Sequence, residues 1–382
     1  MEQRIDKFLK LREEQGLLRR LRTVVPTGDG KILVDGKEYI NFSSNDYLGL
    51  ASNKDLAAAS FKALSPVVGS SSSRLMTGTT SYHDELEDKV ADFKKKPAAL
   101  VFNSGYQANV GIISAILGKD DCVFSDRLNH ASIVDGIRLS GAKMFRFGHN
   151  DTDHLGELLK AERKKYKASL IITETVFSMD GDIAPLEEIV RLKTDHNCIM
   201  MVDEAHATGV FGRNGGGLAG EKGLEKDIDI VMGTFSKALG GFGAYAAMSF
   251  ELKQYMVNAC RSFIYSTSLP PVIIAADIAA LEIVKREGKR RTELLTNAGY
   301  LRRKLQEKGF EVRGESQIVP IIVRDNEKAI KMSEFLKEHG FWVTPVRTPT
   351  VPRGEARLRI SLTFDHTKEM LDTFIEAITK FE

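Results

Sequence analysis

Apolar positions along the chain fall into three regimes. Between residues 3 and 22, Ile5, Phe8, Leu9, Leu17, Leu18 and Leu21 recur at helical spacing among charged residues, which predicts an amphipathic N-terminal helix. "KILVDGKEYINF" then alternates around Asp35-Gly36, a dipeptide that accepts positive φ and so predicts a tight hairpin. Two loop-rich stretches follow, "SSNDYLGLAS" and "GSSSSRLMTGTTSYHDELEDKV"; in the second, Ser81 with Asp84 predicts the start of a helix running to about Lys95.

From about residue 98 to 250 the pattern changes. "AALVFNS", "CVFSD", "KMFRFG", "LIITETVF", "CIMMVDEAH" and "DIVMGTFS" are short apolar runs separated by amphipathic helical stretches. Several have no polar face, as parallel strands buried between helix layers require. Each ends in polar or glycine residues, and the carboxyl ends of strands are where open α/β sheets bind ligands. After "YSTSLPP" one long helical stretch is predicted over roughly 272–308. "FEVRG", "IVPIIVR", "EKAIKMSEFLKEHG", "FWVTPVR" and "ARLRISLT" then alternate before a closing helix. The division is a helix and hairpin arm over 1–45, a large cofactor-binding domain over 46–270 and a C-terminal α+β domain over 271–382.

Composition narrows the partners. The 382 residues carry 54 Lys+Arg against 52 Asp+Glu, a formal charge of +2, so nothing in bulk attracts nucleic acid or an anionic membrane. Basic clusters at Lys285–Arg291 and Lys94–Lys96 read as solvated helix ends. Cys122, Cys198 and Cys260 are too few and scattered for a disulfide framework or a zinc site, and predict buried thiols in a reducing compartment. The N-terminus "MEQRIDKFLKLREEQG" has no uninterrupted apolar core, so no signal peptide is expected and the cytoplasm is the expected location. His149 and His154 in "HNDTDH" read as polar loop residues, and no metal is expected.

Candidate chemistry sits at three strand ends. "TETVFSMDGD" supplies Ser178, "MMVDEAHATG" supplies Asp203 and His206, and "MGTFSKALGG" supplies Thr234, Ser236 and Lys237. A lysine delivered by a buried strand has its pKa lowered by desolvation, which makes it a nucleophile near neutrality, as Schiff-base lysines require. Pyridoxal 5'-phosphate accounts for the rest of the set, because a fixed carboxylate, here Asp203, keeps its ring nitrogen protonated. "NSGYQANVGIISAIL" passes from strand to helix through Ser104-Gly105-Tyr106, and the free N–H groups of such a helix start bind phosphate.

The ordered motifs "NFSSNDYLGL", "RFGHND", "TETVFSMDGD", "VDEAHATGV", "TFSKALGG", "IYSTSLPP" and "TPTVPRGEARLRISLT" resemble those of the α-oxoamine synthases. These are fold-type I pyridoxal phosphate enzymes that condense an amino acid with an acyl-CoA. The resemblance covers essentially the whole chain. It implies a large, mostly parallel sheet sandwiched by helices, a smaller C-terminal α+β domain and an N-terminal helical arm. It implies that Lys237 bonds the cofactor aldehyde, that Asp203 pairs with the ring nitrogen and that His206 and Ser178 bond the ring hydroxyl. His130 of "NHAS" would lie against the ring face; Gly105, Tyr106 and Thr234 would serve the phosphate, and Ser266 and Thr267 would reach a phosphate across a dimer interface. Arg359 with Asn45 would hold the amino-acid carboxylate, and Arg19 and Thr350 would touch the acyl substrate.

The resemblance further implies L-alanine and pimeloyl-CoA, or a pimeloyl carrier-protein thioester, as substrates, and a homodimer with its site at the subunit interface. Glycine with acetyl-CoA is the rival pair. A non-catalytic nucleotide-binding module is a remote alternative, and no phosphate loop of the form G-x-x-x-x-G-K-S/T occurs.

Overall fold

In the computed structural model, which describes residues 1–64 and 68–381, the N-terminal helix spans Glu2–Glu14 rather than 3–22. Gly16, at φ +63°, takes the left-handed conformation that ends helices, and residues 17–22 continue without regular structure. The hairpin forms as predicted. Strand β1 (Val25–Gly28) pairs with β2 (Lys31–Val34), and β2 with β3 (Lys37–Asn41); Asp35 and Gly36 turn the chain at φ +51° and +77°. The helix Ser81–Lys94 is capped by Thr80 with His83 as its capping-box partner, one residue before the predicted start, and Asp84 only lines its first turn.

The central sheet has seven strands: β4 (Ala98–Phe102), β5 (Cys122–Asp126), β6 (Lys143–Phe147), β7 (Ser169–Glu174), β8 (Ile199–Asp203), β9 (Ile230–Thr234) and β10 (Ala244–Met248), in the order β4-β10-β9-β8-β7-β5-β6. Only β10 runs antiparallel to its neighbours β4 and β9. The period-two alternation divides the apolar side chains between two cores. Leu100, Phe102, Leu170, Ile172 and Met232 pack with Ile112, Ile113 and Ile133 of the helices Gly105–Ile116 and Ala131–Ser140. Ala99, Val101, Ile171, Val231 and Tyr245 pack on the other face with Leu86, Val90 and Ile189 of Ser81–Lys94 and Leu186–Asp195.

The helical stretch predicted over 272–308 is two helices, Pro271–Arg286 and Gly288–Glu307, because Glu287 leaves the helical region at φ −101°, ψ 59°. Pro271–Arg286 packs against Lys54–Lys62 and Ser81–Lys94. In the C-terminal region, β11 (Ile318–Arg324), β13 (Pro345–Val346) and β14 (Ala356–Ser361) form an antiparallel sheet, while β12 (Phe341–Trp342) pairs parallel with β3 and ties the N-terminal hairpin to this end of the chain. The three cysteines are buried and free. Among the described residues no helix is long and apolar enough to cross a membrane.

Candidate active site

The strand order brings the carboxyl ends of β4, β5, β7, β8 and β9 to one edge. That edge carries Ser104–Tyr106, His130, Glu174 with Ser178, Asp203 with His206, and Thr234–Lys237. The segment after β3 adds Asn45 and Tyr47, and β14 adds Arg359.

Lys237 is partly buried, and its Nζ stands 2.9 Å from His206 Nε2. Burial, with the Arg359 charge behind it, lowers its pKa from 10.5 to about 8, against the opposing pull of Asp203 and Glu174. His206 is buried and held neutral, its pKa pushed well below 6.5 by burial and then by Lys237 and Arg359. The hydrogen-bond network assigns its tautomer. Tyr47 donates its hydroxyl proton to Asn45 Oδ1 at 3.1 Å, so His206 Nδ1–H donates to Tyr47 Oη at 2.6 Å and Nε2 is left to accept from Lys237. Arg359 reaches the same group through Asn45 at 3.2 Å and Tyr47 at 3.4 Å, and its Nε donates to the Ser178 carbonyl at 2.6 Å. One chain of bonds therefore joins residues from β8, the β9 loop, the N-terminal segment and β14.

Asp203 is buried, and both its hydrogen-bond partners among the described residues are neutral: Asn109 Nδ2 donates to Oδ2 and the Ala205 N–H to Oδ1, each at 2.9 Å. Glu174 pairs with it across the β7–β8 ladder. Burial and the Asp203 charge raise Glu174 to about 8, so near neutrality this neighbour is largely an uncharged acid, and its Oε1 has no partner among the described residues. His130 is exposed and caps the helix Ala131–Ser140; its Nδ1 accepts from the Ser132 N–H at 3.3 Å, which places the proton on Nε2. Desolvation at the site wall lowers its pKa, and Lys237 adds to this while Asp203 opposes it.

Of the remaining predicted residues, Gly105 and Tyr106 open the helix Gly105–Ile116 behind the Ser104 cap, and a Cβ at Gly105 would meet nothing closer than Met232 at 3.9 Å. The Tyr106 hydroxyl is bonded to Asp135 and so is engaged away from the helix start. Thr234 donates to the Gly243 carbonyl at 2.7 Å and accepts from the Ser236 N–H at 3.1 Å, so its hydroxyl also closes its own loop. Ser266 Oγ accepts from Gln107 at 2.8 Å and the Thr267 carbonyl from Asn103 at 2.7 Å, beside the helix start of the same chain. Arg19 and Thr350, 331 positions apart, meet at 3.4 Å and line a cleft of about 1130 Å³ with Leu17, Leu18, Trp342 and Arg347. His149 bridges Asp126 at 3.0 Å and Asp182 at 2.6 Å, while His154 accepts from the Gly148 N–H. The two histidines thus serve separate hydrogen-bond networks.

Tyr47, Asn109 and Glu174 are the site residues that the sequence reading misses. Asn109 carries a signal, being the polar residue on the otherwise apolar buried stripe of its helix. The run Gly215–Gly220 has the G-x-G-x-x-G spacing, yet no strand leads directly into it. A Cβ at Gly217 would stand 2.1 Å from the Glu204 carboxylate, so the glycine serves close packing on the buried Lys94–Glu204 pair.

The profile of the aminotransferase class I and II family matches residues 37–378. The 8-amino-7-oxononanoate synthase of Geobacter sulfurreducens is 47% identical over 371 residues, 96% of this chain and 95% of that protein. Among solved structures, a serine palmitoyltransferase variant from S. paucimobilis with bound PLP and myriocin superposes with a TM-score of 0.92 at 33% identity, covering 98% of this chain and 96% of that one. The 8-amino-7-oxononanoate synthase from Francisella tularensis gives 0.78 at 31% identity, covering 90% and 97%. The fold-type I architecture expected from the motifs is borne out. Sequence profile and superposition agree over nearly the full length, and the chain belongs to the class I and II aminotransferase family, within its α-oxoamine synthases.

Proposed function

We propose that the chain is an 8-amino-7-oxononanoate synthase, a PLP-dependent acyltransferase of biotin biosynthesis. It joins L-alanine to pimeloyl-CoA, or to a pimeloyl carrier-protein thioester, and releases the thiol and carbon dioxide. The observation that carries this reading is a pair of buried, opposite charges whose hydrogen-bond partners are all neutral. Asp203 is a buried carboxylate whose partners are neutral, and Arg359, 9% exposed, is a cation whose partners are neutral. Buried charges are matched, so the site calls for a cationic ring nitrogen at one end and a substrate carboxylate at the other.

The residues fit pyridoxal phosphate. Asp203, steadied by Asn109, would hold the proton on the ring nitrogen; Gly105 and Tyr106 would present free N–H groups to the phosphate, with Thr234, Ser266 and Thr267 near them; Ser178 and His206 would face the ring hydroxyl and His130 the ring. When bound through Lys237, the cofactor supplies an electron sink for the carbanion of the amino acid. Arg359 and Asn45 bind the alanine carboxylate by charge-assisted hydrogen bonds. Lys237, poised near 8, removes the α-proton of alanine as a general base, and His206 Nε2 orients the amine. His130, with its proton on Nε2, donates toward the condensing carbonyl. Arg19 and Thr350 orient the acyl chain in their cleft.

The working form is a homodimer in the cytoplasm, with Ser266 and Thr267 reaching the partner's phosphate. Thiol release decides the substrate assignment: faster turnover of glycine with acetyl-CoA than of alanine with pimeloyl-CoA overturns it. A visible absorption band in the purified protein, lost in Lys237→Ala, is expected of the bound cofactor.

A further inference from the structure

The loop carrying Lys237 is largely tied to itself. The Phe235 N–H donates to the Gly243 carbonyl at 3.0 Å, the Gly241 N–H to the Phe235 carbonyl at 2.9 Å and the Gly240 N–H to the Lys237 carbonyl at 2.9 Å. The Phe242 N–H leaves the loop and donates to Asp277 Oδ1 at 3.2 Å. Asp277 belongs to the helix Pro271–Arg286. It is 0% exposed, and its Oδ2 has no partner among the described residues.

The contact is close on both sides of the turn. A Cβ at Gly241 would stand 1.9 Å from Asp277 Oδ1, and one at Gly240 would stand 2.3 Å from the Ala51 backbone nitrogen. Glycine is required at both positions for the loop to lie between the helix and the Leu50–Ala51 backbone.

An ionised carboxylate at this depth costs far more than one bond from a neutral amide returns. Burial drives its pKa well above 3.8, which favours the uncharged acid. An apolar side chain of equal volume would fill the space without leaving Oδ2 unpaired, so packing alone gives no reason for an acid. The Phe242 N–H does, because it needs an acceptor that the loop itself does not supply.

We propose that Asp277 is a positioning residue for Lys237: its carboxyl oxygen hooks the Gly241–Phe242 turn to the helix Pro271–Arg286 and so fixes where the lysine amine stands. The proposal rests on the reading of Lys237 as the cofactor-bearing lysine.

Two substitutions in the holoenzyme test it. Asp277→Asn keeps an uncharged carbonyl oxygen for Phe242, whereas Asp277→Leu keeps the volume and removes the acceptor. The Asn variant is expected to retain kcat and the pH midpoint of the visible band. The Leu variant is expected to lose about tenfold in kcat with KM little changed, to shift the midpoint of the band, and to exchange its Phe242 amide proton about tenfold faster, while β4 and β7 exchange as before. A folded Leu variant with the wild-type kcat and band midpoint overturns the proposal. So does an Asn variant that loses as much as Leu. Should the Leu variant not fold, Asp277→Ala, which adds no bulk, is read by the same criteria. Absence of the band from the wild-type holoenzyme overturns the lysine reading itself, and the proposal with it.

Discussion

The lowered basicity of Lys237 gives the sharpest test of the site's electrostatics. At pH 7 an amine titrating near 8 is neutral in roughly 9% of molecules, against roughly 0.03% for one at the ordinary 10.5, a gain in nucleophile of about 300-fold. Burial is the first cause, Arg359 reinforces it, and Asp203 and Glu174 oppose it. Arg359→Gln removes a cation that disfavours the ammonium, so the midpoint rises; Asp203→Asn removes an anion that favours it, so the midpoint falls. Each displacement is expected to be roughly one pH unit. Cofactor-free protein is pulsed with acetic anhydride between about pH 6 and pH 11, and acetylation of Lys237 is followed by mass spectrometry against the exposed Lys119 as internal reference. A wild-type midpoint near 10.5, or displacement of both variants in the same direction, refutes the reasoning.

Three further outcomes follow from the same network and its foundations. Tyr47→Phe deprives His206 Nδ1 of its 2.6 Å partner and should lower kcat/KM about tenfold with the circular dichroism unchanged; an unaltered kcat/KM removes Tyr47 from the site. Lys94→Met strands the buried Glu204 carboxylate, now paired at 2.7 Å, and should cost about 3–5 kcal/mol in urea unfolding, most of it recovered by adding Glu204→Gln. Glu174 titrates near 8 when folded and near 4.5 otherwise, so folding takes up a proton between those values. Its contribution is fully present below pH 4.5 and lost as pH rises through 8, at up to roughly 1.4 kcal/mol per pH unit. Glu174→Gln should flatten that component of the pH profile, and identical slopes for wild type and variant contradict it.

The central sheet was readable because β4, β5, β7, β8 and β9 are apolar on both faces, and because each ends in a short polar motif that the parallel order gathers at one edge. Strand β10 was not. Ala244–Met248 lacks β-branched residues, since burial on both faces between two strands favours small side chains over strand formers. The N-terminal helix is shorter than its pattern predicts because Leu17, Leu18 and Leu21 keep the spacing past Gly16, where the backbone has already turned. Motif reading placed Lys237, His206, Asn45 and Arg359, which the structure joins in one network. It passed over Tyr47, whose partner His206 lies 159 positions away, and Glu174, whose uncharged state depends on burial and then on facing Asp203 across a ladder. Such roles come from neighbours that local spacing does not reveal.

The reversed strand β10 has a mechanical consequence. Because it is laddered to β9 on one side and β4 on the other, the segment bearing Lys237 is anchored at both ends in the middle of the sheet, as a crank is held by a fixed axle. Its backbone cannot swing outward as a whole without tearing a ladder. The ends of the loop at Thr234 and Ala244 therefore stay opposite each other while the amine moves between resting place and substrate, and amide protons of β9 and β10 should exchange only when the whole molecule opens.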